Sequence, residues 1–151
     1  MAEDFTKHEY DVIVIGAGGA GLRAAIEAAR SGAKTAIITK SLLGKAHTVM
    51  AEGGCAAALQ NADPRDGWKV HFHDTMKGSK WLANWKMAEL HAKEAPDRVR
   101  ELEQWGAVFD RTTKNKINQR NFGGHTFPRL AHVGDATGLE LIRTLQELSL
   151  I

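Results

Sequence analysis

The chain has 151 residues, 43% apolar and 25% charged, a balance that suits one globular domain with a buried core and excludes a disordered or fibrous chain. Twenty Lys and Arg against eighteen Asp and Glu leave a formal charge of +2 spread along the sequence, which excludes the concentrated basic footprint of a nucleic-acid or anionic-membrane binder. The single cysteine, Cys55, excludes an intramolecular disulfide, favours a reducing compartment and is expected to be a small buried residue.

No run approaches the roughly 20 apolar residues needed to cross a bilayer. The acidic opening Met1-Ala2-Glu3-Asp4 lacks the apolar stretch of a secretory signal, so membrane contact is expected only through a partner. Asp11-Val12-Ile13-Val14-Ile15 is a β-branched run ending at a glycine cluster, the pattern of a parallel strand buried on both faces. Leu22 to Arg30 then predicts a helix with Leu22, Ala25, Ile26 and Ala29 on one face and Gly32 just past its end. Lys34 to Thr39 predicts the second strand, completing a β-α-β unit of roughly thirty residues.

Residues 40–67 lack strong periodicity and read as a long ligand-contacting loop with a polar turn at 61–67. Helical patterns follow at 69–75 and 81–93. Pro96 predicts the first turn of a separate helix, closed at Gly106. Ala107-Val108-Phe109 and Lys116 to Gln119 read as short strands joined by a turn at 111–115. The last helix opens on Thr137-Gly138-Leu139-Glu140, a capping-box pattern. In an alternating α/β fold a further parallel strand should follow it, yet the sequence stops at Ile151.

Gly16-Ala17-Gly18-Gly19-Ala20-Gly21 fits G-x-G-x-x-G between a strand and a helix, the context in which that motif means dinucleotide binding. Gly16 permits the turn, Gly18 lets backbone N–H groups approach a pyrophosphate, and Gly21 lets helix and strand touch. About twenty residues on, NAD-binding folds place an acidic residue on a ribose hydroxyl. Here the positions are Thr39, Lys40 and Ser41, which disfavours a simple NAD enzyme and leaves an NADP-dependent one open.

Within the loop stands His47-Thr48-Val49-Met50-Ala51-Glu52-Gly53-Gly54. This stretch closely resembles the flavoprotein subunits of succinate dehydrogenase and fumarate reductase. The likeness continues through His73 to Ser79, Leu102 to Gly106, Arg120 to Gly124 and Asp135 to Gly138. It implies an α/β, Rossmann-like FAD-binding fold whose N-terminal β-α-β unit and following helices are present. Residues 1–151 would be the N-terminal part of an FAD-binding domain, without the capping domain and the C-terminal FAD-binding half. It further implies FAD attached covalently through His47 and contacted by Gly16 to Gly21, Thr39 to Ser41, Thr48, Ala51, Gly53 and Gly54. Glu52 and Phe122 would neighbour the dicarboxylate, Asn121 departing from the proline common before that phenylalanine.

The activity so implied is the interconversion of succinate and fumarate by hydride transfer to or from the flavin. Expected partners are an iron–sulfur subunit and, through it, membrane anchor subunits, with the protein peripheral on the cytoplasmic side of the inner membrane and no nucleic acid bound. No general acid is assigned within this chain, so alone it is expected to be inactive. The alternative is a truncated, inactive nucleotide-binding fragment. His71 and His73 precede Asp74 without a convergent third ligand, so no metal is expected. His125 and His132 read as surface or loop residues, and Trp81, Trp85 and Trp105 as core or interface anchors. Leu139, Leu141, Ile142, Leu145 and Leu148 are expected to expose an apolar patch on the isolated chain.

Overall fold

Val12–Ile15 (β1) and Thr35–Ile38 (β2) pair in parallel, residue for residue from Val12 opposite Thr35 to Ile15 opposite Ile38, in a computed structural model describing residues 6–149. The acidic opening and the final Leu150-Ile151 lie outside the described residues. Helix α1, Gly19–Arg30, crosses between the strands. It begins three residues before the apolar stripe predicts, because Gly19, Ala20 and Gly21 form its first turn. Gly32 takes φ +85°, and the N–H groups of Gly32 and Ala33 donate to Ala29 and Ala28. That is the left-handed termination glycine allows.

The expectation that β1 is buried on both faces is corrected. Val12 and Val14 are half-buried on the α1 side, while Ile13, Ile15 and Ile38 are 54%, 85% and 54% exposed. A parallel sheet is covered on both faces only when helices pack on both, and α1 covers one.

After β2 the loop is organised by a single 3₁₀ turn at His47–Met50. The short strands β3 (Cys55–Ala56), β4 (Gln119–Arg120) and β5 (Leu130–Ala131) form an antiparallel sheet with β5 central. Between β3 and β4 lie α2, Trp68–Gly78, and α3, Trp85–Gln104. Helix α3 is continuous, so the separate helices expected at 81–93 and from Pro96 are one. Asn84 starts it by accepting from the N–H groups of Lys86 and Met87. Pro96 forfeits one internal bond, and burial of Ala88, Ala92, Ala95 and Val99 carries the helix through it.

Residues 107–109 form no strand. Phe109 is a buried core residue, and Arg111 pairs with Ile117 in an isolated bridge around the 112–115 turn. Helix α4, Thr137–Ser149, does not open with a capping box. The Thr137 hydroxyl accepts from the Val133 N–H, and the Glu140 carboxylate accepts from the Val108 N–H. Trp81 and Trp85 are 65% and 54% exposed, so they are not core residues. Trp105 packs at the edge of the core, with Arg23 and Arg30 over its ring. His132, read as a surface or loop residue, lies in the loop directly after the central strand β5 and is buried there.

Two apolar clusters hold the molecule. Ala57, Leu59, Val99, Phe109, Ile117 and Ala131 join α3 to the antiparallel sheet. Leu22, Ile26, Ile142 and Leu145 join α1 to α4, and Leu43 and Val49 pack onto them. The second cluster therefore anchors the loop on either side of His47. Ile142 and Leu145 are buried in it and Leu139 is exposed. The unburied apolar surface accordingly lies on the isoleucine face of β1–β2 more than on α4.

Candidate functional site

Parallel strands bring their C-terminal ends together, and ligands of open α/β sheets bind at that edge. Here the Gly16 N–H donates to the Ile38 carbonyl at 2.8 Å, so the glycine loop and Thr39-Lys40-Ser41 leave the sheet side by side. Thr39, Lys40 and Ser41 are exposed. Gly16 turns the chain with φ +107°. A β-carbon on Gly21 would overlap the Gly16 carbonyl, which makes that position a strict glycine. Ala17 is buried beneath the loop, and Ala20 is exposed on the first turn of α1.

Helix α1 has no side-chain cap at Gly18 and no acidic residue in its first turn. Its leading N–H groups have no intrahelical acceptors and carry a partial positive charge. One of them, on Gly19, donates to the Thr48 hydroxyl at 3.1 Å. The turn that carries His47 is thereby tied to the glycine loop. A β-carbon on Gly18 would lie 3.2 Å from the Ala46 side chain, and one on Gly19 would crowd Thr48. The remaining N–H groups, with no carboxylate nearby, suit a pyrophosphate. His47 itself is exposed at the head of its turn.

Two further contacts hold the turn. The Gly138 N–H donates to the Ala51 carbonyl at 2.6 Å, and a β-carbon on Gly138 would overlap the Thr48 carbonyl. Arg120 donates from Nε to the Gly53 carbonyl at 2.8 Å and from Nη2 to the Glu52 carbonyl at 2.6 Å, while Nη1 bonds Asp135 at 3.1 Å. Glu52 is exposed, and Phe122 is 59% exposed with its ring on the Gly53 side. Gly54 takes φ +120° against β5, where a β-carbon would meet the Ala131 carbonyl at 2.8 Å. His47, Thr48, Ala51, Glu52, Gly53, Gly54 and Phe122 therefore lie on one connected surface beside the glycine loop. Sequence reasoning assigned no role to Arg120 or Gly138. Their only signal was membership in the Arg-Asn-Phe-Gly-Gly and Asp-Ala-Thr-Gly stretches.

Behind the Phe122 loop is a buried ionic cluster. Arg129 donates to Asp66 at 2.8 Å and pairs with Asp74 at 2.9 Å, all three side chains being almost fully buried. Asp74 also accepts from the Thr126 N–H and hydroxyl. Against the opposing cost of burial, those Thr126 bonds and the Arg129 charge hold its carboxyl below the usual range. Burial, reinforced by the charges of Arg129, His91 and His125, lowers the His71 pKa to about 4. Its imidazole is neutral near pH 7. Among the described residues no group of three His, Cys, Asp or Glu is arranged to hold a metal ion. Burial raises the pKa of the Cys55 thiol, which makes it a poor nucleophile. A cavity of about 330 Å³ lined by Ala25, Ile26, Ala29 and Leu148, with Arg30 and Thr35 beside them, lies at the other end of α1.

The glycine turn at the edge of β1–β2 and the anchored His47 turn thus belong to one α/β unit. Residues 11–150 match the FAD binding domain family, and the chain belongs to that family. It is 44% identical over 157 aligned positions to the succinate dehydrogenase flavoprotein subunit of Rickettsia felis, covering 99% of this chain and 26% of that protein. Among solved structures, the Mycobacterium smegmatis Sdh1 complex is 72% identical with a TM-score of 0.91, covering 93% of this chain and 24% of its own. An E. coli quinol fumarate reductase is 39% identical with a TM-score of 0.88, covering 95% and 24%. The chain spans about a quarter of the length of the curated relatives it matches. Among the described residues no helix is long and apolar enough to cross a membrane.

Proposed function

We propose that residues 1–151 are the N-terminal part of the FAD-binding domain of a succinate dehydrogenase or fumarate reductase flavoprotein subunit, with FAD attached through His47. The observation that carries this is the 3.1 Å bond from the Gly19 N–H to Thr48 Oγ1. It links the pyrophosphate-binding turn directly to the residue after the proposed attachment point.

When bound, FAD supplies the centre that exchanges a hydride with the succinate–fumarate pair. The first turn of α1 holds the pyrophosphate with backbone N–H groups, and Thr39, Lys40 and Ser41 contact the rest of the nucleotide. His47, exposed at the head of its turn, would carry the flavin through an imidazole nitrogen. Thr48, Ala51, Gly53 and Gly54 border the cofactor, and Arg120 keeps that backbone in place. Glu52 and Phe122 are the candidates to neighbour the dicarboxylate. The general acid is assigned to no residue of this chain, so activity belongs to a protein of the relatives' length. Such a protein would pass electrons to an iron–sulfur subunit and, through it, to membrane anchor subunits on the cytoplasmic side of the inner membrane.

The test is a denaturing gel of source-cell extract, probed for this N-terminus and viewed for flavin fluorescence. A fluorescent band several times longer than 151 residues is expected, and His47→Ala should remove the fluorescence while leaving some non-covalent FAD. Fluorescence that survives denaturation in the variant sinks the attachment site. A dark band at 16.5 kDa would instead favour an inactive nucleotide-binding fragment.

A further inference from the structure

The Phe122 loop runs from β4 to β5 with Gly123 and Gly124 at its middle, Gly124 at φ +87°. A glycine pair leaves the backbone free to take many paths, so the ends of the loop decide where Phe122 stands. At the leading end, Arg120 is tied to the Glu52 and Gly53 carbonyls. Between the ends, the hydrogen bonds of residues 121–125 are internal to the loop among the described residues. The Phe122 N–H donates to Asn121 Oδ1 at 3.0 Å, and the His125 N–H donates to the Phe122 carbonyl at 3.2 Å. The trailing end is Thr126. Its N–H donates to Asp74 Oδ2 at 2.8 Å and its hydroxyl to Asp74 Oδ1 at 2.7 Å, across 52 positions.

Asp74 stands on α2 with its side chain 4% exposed, and Arg129 Nη2 lies 2.9 Å from its Oδ2. A buried carboxylate is costly unless it is paired and hydrogen-bonded. Arg129 does not require this one. Asp66 already accepts from Arg129 Nε at 3.2 Å and from Nη2 at 2.8 Å, and one carboxylate balances one guanidinium. His73 Nδ1, at 3.8 Å, is beyond hydrogen-bond reach of Asp74, and the His71 imidazole on the same helix is neutral near pH 7. The second carboxylate thus exceeds what charge balance needs, and its directed partner is Thr126. Bonds to a carboxylate are stronger than neutral ones, and two from one residue fix direction as well as distance. His125, next to Thr126, has its ring centroid 6.1 Å from that of Phe122, so a shift at Thr126 is passed to the aromatic ring.

We propose that Asp74 is a positioning residue for the Phe122 loop: by clasping Thr126 it fixes the trailing end, as Arg120 fixes the leading one, and so sets the fit of the dicarboxylate against Phe122. The inference rests on the reading above that Phe122 neighbours that substrate. Groups that meet a ligand are held by others locked in turn by packing and hydrogen bonds, and a loose support weakens the site.

The test compares Asp74→Leu with Asp74→Asn in the full-length protein with its bound FAD. Asparagine keeps both bonds, its oxygen accepting from the Thr126 N–H and its amide donating to the Thr126 hydroxyl; leucine keeps neither. Asp74→Leu should raise KM for succinate roughly tenfold, the scale of two lost charge-assisted bonds, while kcat and flavin content stay close to wild type. Hydrogen exchange of residues 121–126, followed by mass spectrometry without substrate, should quicken in the same variant. Asp74→Asn should match wild type in both readouts. A leucine variant with wild-type KM or wild-type exchange overturns the proposal, and so does an asparagine variant as impaired as leucine, since charge would then matter and not the clasp. If Asp74→Leu does not fold, Thr126→Val decides in its place: a raised KM that Thr126→Ser restores supports the clasp, and an unchanged KM overturns it. A wild-type protein that turns over no succinate overturns the function proposed above, while the exchange result still decides whether Asp74 holds the loop.

Discussion

A methyl group at position 21 would meet the Gly16 carbonyl, so Gly21→Ala must push α1 away from the strand that precedes it. Overpacking of this kind costs about 1–3 kcal/mol. Thermal melting should register the loss, and flavin content should fall with it; an unchanged melt would show that loop and helix separate freely. Arg120 presents a different case, since its three bonds leave the fold intact and fix only the Glu52–Gly53 backbone and Asp135. Arg120→Gln should lower flavin occupancy with little change in melting temperature, measured by absorbance per protein. Arg129 is the opposite. Its replacement by Met leaves Asp66 and Asp74 buried without their cation, a loss of about 3–5 kcal/mol that denaturant melts should resolve. His71 makes stability pH-dependent. Its pKa falls from 6.5 to about 4 on folding, so between those values the unfolded chain binds more protons. Its contribution is complete above pH 6.5 and is lost as pH falls through about 4, up to about 3 kcal/mol in all. Urea melts at pH 7 and pH 5 should show this slope, and His71→Gln should flatten it.

Among the elements, α4 matters most to the site although it touches no glycine of the loop. Its second residue, Gly138, sits against the Thr48 carbonyl and bonds Ala51, while Ile142 and Leu145 pack on α1. Helix and His47 turn thus move as one unit. Gly138→Ala should shift the turn and reduce covalent flavin, read from in-gel fluorescence, whereas Leu139→Ala on the exposed side should change nothing. Most elements were legible in the sequence: β1, α1 and β2 from β-branched runs, glycine spacing and the 3.6-residue stripe, and α2 from its periodic pattern. Helix α3 was misread as two, because proline is a strong local breaker and only burial of Ala92, Ala95 and Val99 overrides it. The capping box failed for a similar reason. Thr137 and Glu140 bond to Val133 and Val108, and such partners across the fold carry no local signature.

At the scale of the whole molecule, the isoleucine face of β1–β2 remains open to solvent. The isolated 151-residue chain should bind a hydrophobic dye such as ANS and associate in solution, and Ile15→Thr with Ile38→Thr should reduce both. A monodisperse, dye-silent monomer would contradict this. The sequence by itself determined the glycine turn, because glycine spacing after a β-branched strand is a local backbone requirement, and it supplied the stretch containing His47 whose likeness names a cofactor. Only the tertiary structure decided what holds that stretch in place. The Thr48–Gly19 bond spans 29 positions and the Arg120 clamp spans 67 and 68, and the Asp66–Asp74–Arg129 cluster is assembled from three separate segments. Contacts between distant positions depend on how helices and strands pack, and no local pattern encodes them.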